Sequence, residues 1–89
     1  MAVITAHKNE CIQEALKNNK PFQYLEDVIK TCELPMEPVF MDVVNHVLDN
    51  YNFHRAIGID KYKAKIMAMQ DGLTRIYFIS KDYEFYNER

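Results

Sequence analysis

Three histidines and two cysteines carry most of the metal-binding and nucleophilic potential of this chain. His7 and Cys11 stand four residues apart, so on a helix they would share one face, a spacing that zinc sites use. Cys32, His46 and His54 follow no recognised ligand spacing. Because the two cysteines fall on separate apolar stripes, we expect reduced, buried thiols, no metal site and no bound cofactor.

A nucleophile for covalent catalysis would have to come from a cysteine paired with a nearby histidine. Both cysteines are predicted to be buried, and no serine lies in a nucleophile-elbow context. The chain has 89 residues and only two glycines, which leaves little material for a deep pocket closed by mobile loops. We therefore expect a protein that is not an enzyme.

The stretch YKAKIMAMQDGLTRIYFIS contains the pattern that most strongly suggests a binding surface. Basic and apolar side chains alternate along its first half, and an Asp-Gly pair follows, which is typical of a β-hairpin. We predict a hairpin over 61–80 with a turn at 70–72. A three-residue loop that pairs Met69 with Leu73 gives one continuous apolar face, whereas a two-residue turn that pairs Gln70 with Leu73 mixes lysines into it.

The outward face of this hairpin carries the predicted partner-binding site. Its apolar side chains cluster toward the tip, and methionine with tyrosine suits an adaptable interface inside a polar rim. The predicted contact residues are Met67, Met69, Leu73, Arg75, Tyr77 and Ile79. Cover by another segment of the monomer is the alternative for this face. If the outward face of the hairpin is exposed, its composition predicts contact with a protein partner or with a second copy in a homodimer.

A second interpretation assigns the same hairpin to an anion. Proteins that bind single-stranded nucleic acids combine positive grooves with aromatic platforms, and a nucleotide phosphate would use the same cations. The residues for this alternative are Arg55, Lys61, Lys63, Lys65, Arg75 and Tyr77. A net charge of −2 and a pI near 5.9 argue against a general nucleic-acid binder, so we rank this interpretation second.

Three amphipathic helices precede the predicted hairpin. Pro21 and the LPMEP stretch mark the breaks between them. The positions predicted to face inward on the second helix are Phe22, Leu25, Val28, Ile29 and Cys32. On the third helix they are Phe40, Val43, Val44, Val47, Leu48 and Tyr51. Residues 2–5 remain open between a short strand and the start of the first helix.

The predicted fold class is therefore α+β, with three N-terminal helices followed by a small antiparallel β-sheet of two to four strands. HRAIGI at 54–59 and YEFY at 83–86 are candidates for the additional strands. Residues 1–89 are predicted to form a single small domain.

This order of elements resembles the winged-helix arrangement over about residues 8–80, in topology alone. In that family the third helix reads DNA and the hairpin is the wing. The third helix here, EPVFMDVVNHVLDN, has no lysine or arginine and carries Glu37, Asp42 and Asp49, a composition that repels phosphate. The resemblance therefore implies protein contact rather than DNA reading.

These patterns together predict a small non-enzymatic binding or modulator protein that acts by protein–protein contact. Small solitary domains of this character are frequent among bacterial and phage accessory proteins, including inhibitors of host enzymes. The MAVITA start lacks a positively charged lead-in, and no apolar run reaches the length of a transmembrane helix. We therefore expect a cytoplasmic protein without a membrane partner.

Overall fold

The computed structural model describes the backbone from Ala2 to Asn87 and the side chains of residues 10–83. This part of the chain forms four helices: α1 (Ala2–Lys17), α2 (Pro21–Thr31), α3 (Met36–Ala56) and α4 (Lys61–Asn87). No strand occurs between Ala2 and Asn87, so the predictions of an α+β fold, an antiparallel sheet and a β-hairpin are wrong. The architecture is a four-helix, bundle-like arrangement.

The segment predicted as a hairpin is one helix, and the cap and composition of its first half favour that conformation. Asp60 caps its N-terminus: Oδ2 accepts hydrogen bonds from the backbone N–H groups of Tyr62 (3.1 Å) and Lys63 (3.2 Å). The lysines, alanines, methionines and glutamine that follow are strong helix formers. The apolar stripe also has helical spacing, three and four residues apart, at Ile66, Met69, Leu73 and Ile76.

The two additional strand candidates are also helical. Residues 54–59 contain the end of α3 and its C-terminal cap, and residues 83–86 lie within α4. Residues 2–5 belong to α1, which resolves that open choice in favour of helix. Because the described chain contains no hairpin, it contains no wing, and the resemblance to the winged-helix fold is wrong.

All three interhelical connections begin with the same type of C-terminal cap. A residue with positive φ follows each of the first three helices: Asn19 (58°), Glu33 (57°) and Gly58 (93°). After α3, the N–H of Gly58 donates to the carbonyl of Arg55 (3.1 Å), and that of Ile59 donates to His54 (2.9 Å). This is the Schellman arrangement, and the equivalent pair of bonds follows α1 and α2. The reversals are therefore determined by short-range backbone geometry.

The antiparallel contact of α3 with α4 is the largest helix–helix contact, and a glycine lies at its centre. A Cβ added to Gly72 would lie 2.6 Å from Cγ2 of Val47, and 3.5 Å from side-chain atoms of both Leu25 and Val43. The Asp-Gly pair that resembles a turn in the sequence is thus a close-packing position. Glycine lets α3 and α2 approach α4 more closely than a larger residue would allow.

The hydrophobic core lies where α2 packs across the α3–α4 pair, with α1 against α2 and α4. The largest fully buried side chains are Ile12, Leu25, Ile29, Val43 and Ile76. The sequence correctly predicts most of this inward face on α2 and α3. Phe22 and Leu48 are exceptions, because they remain 41% and 45% exposed.

Substitution of Gly72 by alanine tests this close approach. In an exposed helix the change would gain about 1 kcal/mol of stability from helix propensity. Here we expect a loss of about 1 to 2 kcal/mol in the free energy of unfolding, because the added methyl would overlap the stiff β-branched side chain of Val47. Urea denaturation measures the difference.

A Val47→Ala background provides the control for that substitution. With the opposing methyl groups removed, Gly72→Ala should become neutral or stabilising, so its effect changes sign between the two backgrounds. A Gly72→Ala variant that is more stable than the wild type by the ordinary propensity gain would contradict the proposed packing.

A C-terminal cap that is not glycine offers a site where substitution by glycine should stabilise the protein. Glu33 has a φ of 57°, which costs an L-residue with a Cβ about 1 kcal/mol or more. We expect Glu33→Gly to raise the free energy of unfolding by about 0.5 kcal/mol, the remainder being lost to the greater freedom of glycine in the unfolded chain. The opposite kind of substitution, Gly58→Ala, should lower the free energy of unfolding by about 1 kcal/mol, although an added Cβ there meets nothing within 4 Å. Thermal and urea unfolding measure both, and a destabilised Glu33→Gly variant would refute the cap geometry.

Candidate docking groove

An apolar groove opens where the start of α2 meets the middle of α3 and the first half of α4. Its volume is about 230 Å³. Phe22 lines it from α2, Leu48 and Tyr51 from α3, Met69 from α4 and Leu16 from α1. The groove is therefore built from core-facing positions of all four helices.

Phe22 and Leu48 form the exposed apolar edges of this apolar groove. Both are predicted to face inward, yet 41% of Phe22 and 45% of Leu48 remain accessible to solvent. Complete burial of such a side chain is worth about 1.5 to 3 kcal/mol, so roughly half of that is still available at each position. A ligand that covered both edges would recover this free energy.

The size of the apolar groove favours a side chain over a metabolite. Its 230 Å³ exceeds the roughly 150 Å³ of an engineered cavity that holds benzene. It lies below the roughly 300 to 1,000 Å³ that is usual for small-molecule sites. One bulky apolar side chain of a partner would fill it.

A larger polar cleft lies between α1 and α4 and adjoins the apolar groove. It has a volume of about 660 Å³, and the two share Leu16 and Lys65 as lining residues. Glu10, Glu14 and Lys17 supply its other charges, and all three are exposed. Because these charges are hydrated and of mixed sign, the polar cleft has few desolvated groups with which to hold a small ligand.

A polar cluster bridges α3 and α4 on another side of the bundle. Arg75 donates from Nε (3.3 Å) and Nη2 (2.9 Å) to Oδ2 of Asp42. His46 lies between two carboxylates, with Nε2 3.4 Å from Asp42 and Nδ1 4.0 Å from Asp71. All four side chains are about 35–46% exposed, so these contacts help to set helix register and add little stability.

The structure disperses the residues predicted for partner binding. Met69 and Leu73 are buried in the core, and Ile79 packs against it. Arg75 is half-exposed and paired with Asp42. Met67 and Tyr77 are exposed, ten residues apart along α4. The outer hairpin face that would have united these residues does not exist, and only Met69 lines the apolar groove.

The residues of the anion interpretation are dispersed in the same way. Lys61 and Lys65 stand four apart and share one face of α4, whereas Lys63 projects from the opposite face. Arg55 donates from Nη1 to the carbonyl of Ile59 (3.0 Å). The remaining two lie farther along α4: Arg75 in the polar cluster, and Tyr77 beneath the ammonium of Lys81, 5.2 Å from the ring centroid.

The metal and thiol candidates take ordinary structural positions. Within the described residues, no three histidine, cysteine or acidic side chains are grouped to hold a metal ion, and the side chain of His7 lies outside them. Cys11 and Cys32 form no disulfide, and both are half-buried rather than fully buried. Cys11 hydrogen-bonds to the phenol of Tyr24, which connects α1 to α2.

The groove residues that sequence reasoning missed include Phe22, Leu48 and Tyr51, which it assigned to the core. One sequence signal could have identified Leu48. From Val43 to Leu48, the predicted inward face of α3 spans about 140° of the helix, wider than a usual core-facing stripe of roughly 100°. Residues at the edge of such a wide stripe lie beyond the surface that neighbouring helices cover.

No protein-family model matches this chain, and neither a curated protein nor a solved structure is significantly similar to it. None of the helices in the described part is long and apolar enough to cross a lipid bilayer.

The Tyr24 phenol gives a measurable consequence of the α1–α2 contact. Burial, then the negative charge of the Cys11 thiolate and its hydrogen bond, raises the pKa of Tyr24 to about 12. The folded protein therefore retains a proton that the unfolded chain loses near pH 10, so this group makes stability fall as pH rises from about 10 to 12. Ultraviolet titration should show a tyrosine step near pH 12.

That step should disappear in Tyr24→Phe and persist in Tyr77→Phe, which removes an exposed phenol. Circular dichroism at each pH checks that the fold is intact. A step near pH 12 that survives in Tyr24→Phe would assign it to another tyrosine and contradict the contact.

Proposed function

We propose that this protein is a non-enzymatic modulator that binds an amphipathic segment of a partner protein in the apolar groove. The observation that supports this is the pair of half-exposed, core-type side chains, Phe22 and Leu48, on either side of a 230 Å³ opening. Amphipathic helices bind proteins by placing bulky apolar anchors in such grooves. This contact replaces the outer hairpin face as the proposed interaction surface.

Rigidity of the groove walls supports the same proposal. Val47 and Ala68 form part of the lining and are themselves core residues, packed near the close approach at Gly72. A preformed site loses little conformational entropy on binding, so more of the contact energy appears as affinity. The groove would accept its anchor without a large rearrangement of the bundle.

Cysteines that form no disulfide support a cytoplasmic location for this contact. Cys11 and Cys32 are both half-buried and neither is disulfide-bonded, in keeping with a reducing compartment. The partner is therefore proposed to be another cytoplasmic protein, and the effect on it to arise from occupancy of its amphipathic segment.

Selection of peptides from a displayed library of amphipathic helices tests the proposal. Peptides that bind the folded protein should carry a bulky apolar anchor. Their affinity should fall by about thirtyfold or more on Leu48→Asp or Phe22→Asp, the effect expected at a central hot spot. Both side chains are exposed enough for the aspartates to remain hydrated, and circular dichroism verifies the fold.

Phe53→Asp is the matched control, because Phe53 is an exposed apolar residue of α3 that does not line the apolar groove. It should change peptide affinity by less than about twofold. Selected peptides that lose binding on Met67→Asp or Tyr77→Asp, and not on Leu48→Asp, would place the contact on the outward side of α4 and overturn the proposal.

A further inference from the structure

The charges around the apolar groove determine the kind of segment that it accepts, an inference that depends on the proposed function. Among the described residues that line the groove, Lys65 is the one that carries a charge, and none is acidic. Lys20 stands between Asn19 and Pro21, which both line the groove. The rim is thus basic in a chain whose net charge is −2.

Arg55 extends this basic rim along α3. It follows Tyr51 by four residues and Leu48 by seven, so it lies on the same side of the helix. Its guanidinium is held by the hydrogen bond to Ile59, and neither Arg55 nor Lys65 forms an ion pair with a described residue. Glu10 and Glu14 line the adjoining polar cleft together with Lys17, and neither of them lines the apolar groove, so they do not neutralise Lys20, Lys65 and Arg55 there.

The start of α2 adds backbone donors at the same place. Lys20 occupies the N-cap position of α2 and makes no side-chain capping hydrogen bond, and Pro21 has no N–H to donate. The early N–H groups of Phe22 and Gln23 therefore have no cap from the Lys20 side chain, and the helix dipole makes this end positive. A carboxylate from a bound segment would complete the cap.

We propose that the partner segment is acidic as well as apolar, with one bulky anchor in the apolar groove and flanking aspartate or glutamate side chains near Lys20, Lys65 and Arg55. The anchor covers the exposed parts of the Phe22 and Leu48 side chains. The carboxylates satisfy the uncapped start of α2 and neutralise the rim. A basic segment of the same shape would meet like charge on three sides and bind more weakly.

Fluorescence anisotropy with two matched synthetic peptides tests this inference. Each is an amphipathic helix with the same apolar anchors, and its flanking positions carry glutamate in one peptide and glutamine in the other. We expect the glutamate peptide to bind at least about fivefold more tightly at low salt, with the advantage declining as salt rises through the range in which surface charges are screened. Equal affinities for the two peptides would overturn the inference.

Two lysines on opposite faces of α4 provide a matched pair of variants. Lys65→Glu should abolish most of the preference for the glutamate peptide, whereas Lys63→Glu, with the same change in net charge, should leave it within about twofold. If Lys63→Glu and Lys65→Glu weaken the glutamate peptide equally, its attraction is to the whole molecule, and the rim has no specific role.

Leu48→Asp separates this inference from the proposed function. If both peptides bind equally and both are lost on Leu48→Asp, the groove binds apolar segments and only the charge preference is wrong. If neither peptide binds the wild type, both proposals fail. If light scattering shows a wild-type dimer that Leu48→Asp dissociates, a second copy occupies the groove and the acidic-segment inference is overturned.

Discussion

The close approach of α3 to α4 at Gly72 sets how tightly the helices of this bundle pack. A Cβ there would lie 2.6 Å from Val47, so the helices can meet at this distance only because the residue has no side chain. Leu25 of α2 lies beside the same glycine. Three helices therefore converge on one backbone position, and the bond from Arg75 to Asp42 lies one turn away on the α3–α4 seam.

The apolar groove follows from the unequal lengths of the helices around that point. α3 and α4 are about 31 and 40 Å long, whereas α2 is about 16 Å long. Such a short helix cannot cover the whole apolar side of the longer pair. Phe22, in its first turn, and Leu48, at the edge of the stripe on α3, are left partly uncovered as a consequence. The groove is thus a product of the short length of α2 beside two longer helices.

The sequence contained enough information to predict three helices and much of the core, but not the fold class. Periodicity correctly placed Leu25, Ile29, Val43 and Val47 inside. It failed over 61–80 because lysine alternates with apolar residues for only a few positions, a length over which a strand and a helix both fit. The Asp-Gly pair then led to the wrong choice of a hairpin. Glycine suits a turn and a tight helix crossing equally well, and only tertiary packing distinguishes these two structures.

The site was less predictable than the fold, for a related reason. Whether Phe22 or Leu48 is buried depends on where a neighbouring helix ends, and that depends on the caps at Asn19 and Glu33. Asparagine adopts positive φ more readily than most residues, whereas glutamate seldom does, so the second cap is hard to predict. The residues of the predicted outer hairpin face were selected because alternate residues of a strand share one face. In a helix the same residues lie on different sides. Met69 remained at the groove because it belongs to the helical stripe as well as to the alternating one.

Nuclear Overhauser spectroscopy of the folded protein tests whether α3 packs directly on Gly72 of an unbroken α4. We expect contacts from the α-protons of Gly72 to the γ-methyl groups of Val47, together with unbroken amide–amide contacts from Gln70 to Leu73. Cross-strand contacts between Met69 and Leu73, or a break in the amide series at Gly72 without a contact to Val47, would contradict it.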